Sequence, residues 1–128
     1  VSAASNYLEN KILEHTLGIA TYTPESTVYL ALFTSDPTDA GTGTEVSTGG
    51  YTRQSISFGT VGSGSVSSNA DITFGPATAS YGTVSHIGVY DAASSGNLLY
   101  HGALSSSKTV DTNDSFVVES GDLTITLD

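Results

Sequence analysis

The sequence predicts a mainly β protein, an antiparallel β-sandwich or jelly-roll-like barrel with one N-terminal α-helix. Three observations predict it. Beyond residue 25, seven or so short runs rich in Val, Ile, Leu, Tyr, Phe and Thr recur between turns of Gly, Ser, Asp and Asn. The last run, Leu123-Thr124-Ile125-Thr126-Leu127, alternates strictly, as a strand with one buried face must. Helical spacing of apolar residues belongs to the first segment, ahead of all the strands. At 128 residues without an internal repeat, the chain fits one domain, 1–128. A domain of that length buries roughly two-thirds of its unfolded surface.

The helix is expected over about 6–17. Asn6 is placed to cap it, and Glu9 three residues on gives a capping-box pattern. Leu8/Ile12 and Leu13/Leu17 are i,i+4 pairs, and Gly18 is a natural stop. The two pairs lie on different sides, so the helix has two apolar surfaces. A helix of about a dozen residues is marginal alone in water. It must pack on its own domain, on a partner, or on both.

The strands follow in order. Thr27 to Thr34 is apolar on both faces, with Val28, Leu30 and Leu32 against Tyr29, Ala31 and Phe33, which predicts a central, covered strand. Residues 35–50 form a long loop of Asp, Pro, Thr and Gly that builds no core, and loops of that length are usually functional or mobile. Tyr51 to Phe58 alternates again, with Ile56 and Phe58 inward. Gly59 to Ser68 reads as a turn region, and Ala70 to Phe74 as a short strand with Ile72 and Phe74 on one face. Further strands are expected at Thr83 to Tyr90, Asn97 to Leu104, Ser115 to Glu119 and Leu123 to Leu127. The turn Asp91 to Gly96 joins the first two of these, and Gly121-Asp122 the last two.

Charge and composition exclude several functions. Thirteen acidic residues face three basic ones, for a net charge of −10. Binding to bare nucleic acid needs clustered Lys and Arg, and so does an anionic membrane surface. Neither partner is expected. The acidity suits a solvated surface, or a basic patch on a partner. No apolar run approaches the roughly 18 residues of a membrane span. No basic stretch precedes an apolar one at the N-terminus, so no intact signal peptide is expected. Without cysteine, neither a disulfide nor a thiolate metal site supports the fold.

The residues that usually carry chemistry are present without the patterns that chemistry needs. His86 and His101 sit on neighbouring predicted strands, but no third ligand has suitable spacing, and His15 lies apart on the helix. Asp36, Asp39 and Glu45 offer oxygen ligands without the alternating acidic pattern of a calcium loop. Asp36 before Pro37 fits an Asx-type turn instead. Serine is abundant, but no Gly-x-Ser-x-Gly elbow occurs, and the Gly-rich stretches lack the context of a phosphate loop. No enzyme activity and no cofactor are expected. Arg53, the only arginine, can take a bidentate carboxylate partner, either within the chain at a sheet edge or across a subunit interface.

Several segments, taken in order, carry a resemblance. They are Ser5-Asn-Tyr-Leu-Glu-Asn-Lys-Ile-Leu-Glu-His15, Val28-Tyr-Leu-Ala-Leu-Phe-Thr-Ser-Asp-Pro37, Gly49-Gly-Tyr-Thr-Arg-Gln54, Ala70-Asp-Ile-Thr-Phe74, Val84-Ser-His-Ile-Gly-Val-Tyr-Asp91 and Gly96-Asn-Leu-Leu-Tyr-His-Gly-Ala-Leu104. Together they resemble small virion structural proteins of tailed bacteriophages, often labelled minor structural or tail-fibre-like. The resemblance implies a non-enzymatic part of the particle. The chain has no heptad stalk, collagen-like repeat or extended shaft, which points to a compact module. The expected role is a capsid decoration or minor capsid protein, bound in many copies to the major capsid protein or other virion proteins as a homo-oligomer. The alternative is a tail-associated receptor- or glycan-binding module, with Tyr22, Tyr51, Tyr81, Tyr90 and Tyr100 as candidate aromatics. Leu13, Leu17, Asp36, Asp39 and Arg53 are the candidate interface residues.

Overall fold

The computed structural model describes residues 3–127. One helix, α1 (Asn6–Thr16), follows a two-residue strand, β1 (Ala3–Ala4). The remaining strands are β2 (Tyr29–Phe33), β3 (Gln54–Ser55), β4 (Ser65–Ser67), β5 (Ile72–Phe74), β6 (Gly82–Tyr90), β7 (Leu98–Val110), β8 (Phe116–Val118) and β9 (Thr124–Thr126). The architecture is mainly β with a single N-terminal helix, and every named strand pair is antiparallel.

The principal layer is a five-stranded sheet in the order β1-β7-β6-β2-β3. β2 lies inside it, and Leu30, Ala31, Leu32 and Phe33 are all fully buried. This is the covered strand that its two apolar faces predict. Leu30 and Leu32, paired with Val89 and Ile87, face the main core. Ala31 and Phe33 face the other way and join Tyr90 and Leu98 in a smaller core. Gly88 lies opposite Ala31, and a side chain there would press on Phe33 and Leu98. Its bareness is what lets the smaller core close.

The second layer is a bent ribbon. β4 pairs with β9, and β5 with β8. β4 and β5 are consecutive on the outgoing path, and β8 and β9 on the returning one. At the bend Ser68, itself buried, takes over from the ladder. Its amide donates to the Leu123 carbonyl at 2.9 Å, and its carbonyl accepts from Gly121 N–H at 2.8 Å. Gly121-Asp122 therefore joins two strands in line, not the two arms of a hairpin. Ile72, Phe74, Phe116, Leu123 and Ile125 point from the ribbon into the main core.

Other differences from the sequence reading have local causes. β4 falls inside the stretch 59–68 expected to be turn alone, because Gly62 and Ser65 close a tight hairpin by exchanging backbone bonds at 3.0 Å. β7 runs six residues beyond Leu104, pairing again through Lys108, Thr109 and Val110. Leu127, predicted inward by alternation, is exposed, since it lies beside the Gly62–Ser65 turn, its N–H bonded to the Gly64 carbonyl at 2.8 Å, beyond the core. The loop 35–50 does contribute to the core, through Pro37 and Val46.

The helix is capped by Ser5, one residue earlier than expected, whose Oγ accepts from Leu8 N–H at 3.2 Å. The same hydroxyl donates to the Leu98 carbonyl. The cap therefore also pins the helix to β7, which Asn6 cannot reach from its exposed position. Gly18, at φ 74°, ends the helix with Ile19 N–H returning to the Glu14 carbonyl at 2.8 Å. Ser5→Ala removes the cap and strands the Leu8 amide, so it is expected to cost about 1 kcal/mol in urea unfolding.

Candidate functional site

The structure brings the polar side chains of the middle of the chain to one place. β3 leaves β2 after the pair Leu30–Gln54, so the backbone of Leu32 needs other partners. Its carbonyl accepts from Val46 N–H at 2.9 Å, and its amide donates to the Tyr51 hydroxyl at 3.0 Å. The Tyr51 hydroxyl in turn donates a hydrogen bond to Glu45 Oε2 at 2.6 Å. Arg53 grips the same carboxylate with two parallel bonds, Nε to Oε2 and Nη2 to Oε1, both 2.9 Å. Its remaining nitrogen, Nη1, donates to the carbonyls of Ala92 at 3.0 Å and Ser95 at 2.7 Å. The guanidinium also lies 3.7 Å over the ring of Tyr90.

One arginine thus ties the loop 35–50, the strand entering β3 and the turn after β6. Gly49 makes the return path possible. Its φ is 67°, and a side chain there would collide with the Ala79 carbonyl. The electrostatics follow from the geometry. Burial by itself raises the Glu45 pKa, but the hydrogen bonds from Arg53 and Tyr51 and the charge of Arg53 outweigh it and hold the carboxyl below its usual range. Burial, reinforced by the bond to Glu45, pushes the Tyr51 phenol well above its usual value. The arrangement is a closed, mutually neutralised set with no free base or nucleophile.

Arg53 is one of the five candidate interface residues, and its side chain is only 8% exposed. Its binding capacity is taken up inside the chain, so of the two sequence readings the intramolecular pair is the one the structure displays. Tyr51 and Arg53, two apart on an alternating segment, share a side by periodicity alone. Glu45 lies across a loop from both, and nothing in the sequence singles it out as their partner.

Asp36 and Asp39 are exposed, and they go to different partners. Asp36 Oδ1 accepts from Thr38 N–H at 2.8 Å, an Asx turn. Asp39 Oδ1 lies 2.7 Å from His101 Nε2 on β7, and because a carboxylate only accepts, that nitrogen carries the proton. Asp36 Oδ1 stands 3.9 Å from the other ring nitrogen. The Asp39 carbonyl also accepts from Asn6 N–H at 2.9 Å, so this tip of the loop is tied to the start of α1. Sequence separation hides the His101–Asp39 contact. Since Asp39 is exposed, Asp39→Ala is expected to lower stability by less than about 1 kcal/mol, read by thermal unfolding.

Leu13 and Leu17 are 55% and 69% exposed, whereas Leu8 on the opposite surface of α1 is buried. Ile19, just beyond the helix, is 72% exposed and extends the same apolar end. The aromatics considered for a glycan site are largely taken by the core. Tyr51 stacks on Phe74 and meets Tyr81 edge-on, and Tyr90 stacks on Phe33. Tyr81 and Tyr90 are buried, while Tyr22, Tyr51 and Tyr100 are half-buried.

Residues 3–126 match the family model described as Podophage GP4 fiber I protein gp80. The chain belongs to this family. The match spans every strand and the helix, and every segment that carries the phage resemblance lies within it. The gp80 family is one of phage virion structural proteins, and its member described above is a component of the virion. No curated protein matches the sequence.

Proposed function

We propose that this gp80-family chain is a compact, non-enzymatic docking module of the phage particle, attached through the outer surface of α1. The observation that carries the reading is the apolar end formed by Leu13, Leu17 and Ile19 on a chain of net charge −10. Exposed leucines in i,i+4 register on a short helix are a stripe that a partner groove can cover. The acidic body favours a partner whose groove is rimmed with basic residues. The non-enzymatic reading rests on Glu45, Tyr51 and Arg53, which converge but satisfy one another.

The fibre description of the family favours a place in the fibre apparatus, where the module anchors or links fibre subunits. The second reading is capsid decoration, in which many copies, as a homo-oligomer, reinforce junctions between units of the major capsid protein. It is favoured by the compact arrangement of the described residues, among which no extended shaft occurs. Either role requires on the order of 800 Å² buried per partner for a firm interface.

Copy number and position separate the two. Quantitative mass spectrometry and immunogold labelling are applied to intact particles and to heads without tails. A few copies, all lost with the tails, support the fibre role. Many copies retained on bare heads overturn it in favour of decoration.

A further inference from the structure

Among the described residues, the two layers of the fold join along one side only. On the β3 side the chain crosses from sheet to ribbon through residues 57–59. There Gly59 N–H bonds the Ser67 carbonyl at 2.9 Å, and Asn69 N–H the Ser57 carbonyl at 3.0 Å. On the other side β7 faces β8 and β9 across a groove of about 400 Å³. Its apolar floor is Ile87, Tyr100 and Leu104 from the sheet and Val118 from the ribbon, all packed on the main core yet only partly buried. Both rims are strand edges. β8 pairs only with β5, and past His101 the outer edge of β7 pairs with no strand among the described residues.

We infer that this groove takes one extended segment of a different polypeptide, which adds as a strand to the edge of β8 and closes the sandwich. An open strand edge beside an apolar floor asks for a strand with apolar side chains at alternate positions. The same side of the sheet already accepts such an addition, since β1 pairs there with Tyr100 and His101. The rim at β7 is the poorer ladder. Leu104 to Ser107 bulge out opposite Ser85, and Lys108 follows, both devices that blunt an edge against pairing. Pairing therefore falls to β8, and the inserted segment needs small residues where it passes the bulge.

Charge decides against a second copy as the occupant. Glu119 and Asp122 lie on the same path between β8 and β9. Two such edges paired with each other would bring these carboxylates together if parallel, or set them toward Asp114 of the other copy if antiparallel, on bodies each of net charge −10. The fitting segment is free of carboxylates and carries Lys or Arg near this point. The inference holds wherever on the particle the module sits.

The chain has no cysteine, so a single introduced thiol reports alone. Val117→Cys on one rim, Ser106→Cys on the other and Thr60→Cys on the distant hairpin are reacted with a maleimide, as isolated protein and in assembled particles. Amide hydrogen exchange of residues 116–118 is measured in both states. The expected result is labelling at least about tenfold slower in particles at both rims, slower exchange in β8, and no change at Thr60→Cys. Equal labelling at the rims overturns the proposal, as does equal slowing at all three positions. Slower labelling with unchanged β8 exchange also overturns it, because the cover is then not a strand. A disulfide between two copies of the V117C variant overturns the choice of a different chain.

Discussion

Arg53→Ala is expected to lose about 3 kcal/mol of folding stability, read as a lower urea midpoint. The change removes both bonds to Glu45, leaves the Ala92 and Ser95 carbonyls without their donor and takes the cation from the Tyr90 ring. What remains is a half-buried carboxylate with only the Tyr51 hydroxyl against it. Arg53→Lys is expected to recover little, because an ammonium cannot make the parallel pair and reach the two carbonyls together. The effect is pH-dependent with a definite sign. The Glu45 carboxyl is held below its unfolded value, so its contribution is present above the ordinary carboxylate range and lost as pH falls through its folded value. The gap between wild type and Arg53→Ala therefore narrows on acidification. Tyr51 acts at the other end. Its raised value keeps the folded phenol protonated while the unfolded one ionises, so stability falls as pH rises past about 10. A gap that stays constant from neutral to strongly acidic pH would remove Glu45 from this account.

Replacing Leu13 and Leu17 together by Lys is expected to abolish particle attachment while leaving the fold intact. Both side chains are more than half exposed, so the stability change stays within about 0.5 kcal/mol. The new cations sit near the C-terminal end of α1, where the helix dipole favours them. If a partner buries the two leucines, each contributes about 1.5–3 kcal/mol, and binding falls by a hundredfold or more. The measurement is occupancy of the variant on particles, beside its melting temperature in isolation. Glu9→Lys, the same total change in charge on an exposed helical position, serves as the control and is expected to attach normally. Parallel loss of attachment and stability in the leucine variant would mean that this surface serves the domain itself.

The strands that were legible in the sequence are those with a strong local pattern. β2 announces itself through two apolar faces, β5 through Ile72 and Phe74, and β9 through its Thr alternation. β1 and β4 were not legible, because Ala-Ala and Ser-Val-Ser have no strand signature of their own. They are strands only because β7 and β9 lie beside them. The helix was legible to within a residue, but its cap was not. Asn6 and Ser5 are both good capping residues, and the contact with Leu98, far along the chain, decides for Ser5.

The same division runs through the candidate site. Composition, charge and the i,i+4 leucine pairs determined by themselves that this is an acidic, mainly β chain with a helix apolar on two sides. Those properties depend on residues a few positions apart, where periodicity and turn chemistry act. Only the tertiary structure decided that Glu45 is the partner of Arg53, that Asp39 meets His101, and that the sandwich is closed along one side and open along the other. Each of these depends on pairings between segments distant in the chain. Many such pairings share the same local preferences, and only burial of a common core selects one of them.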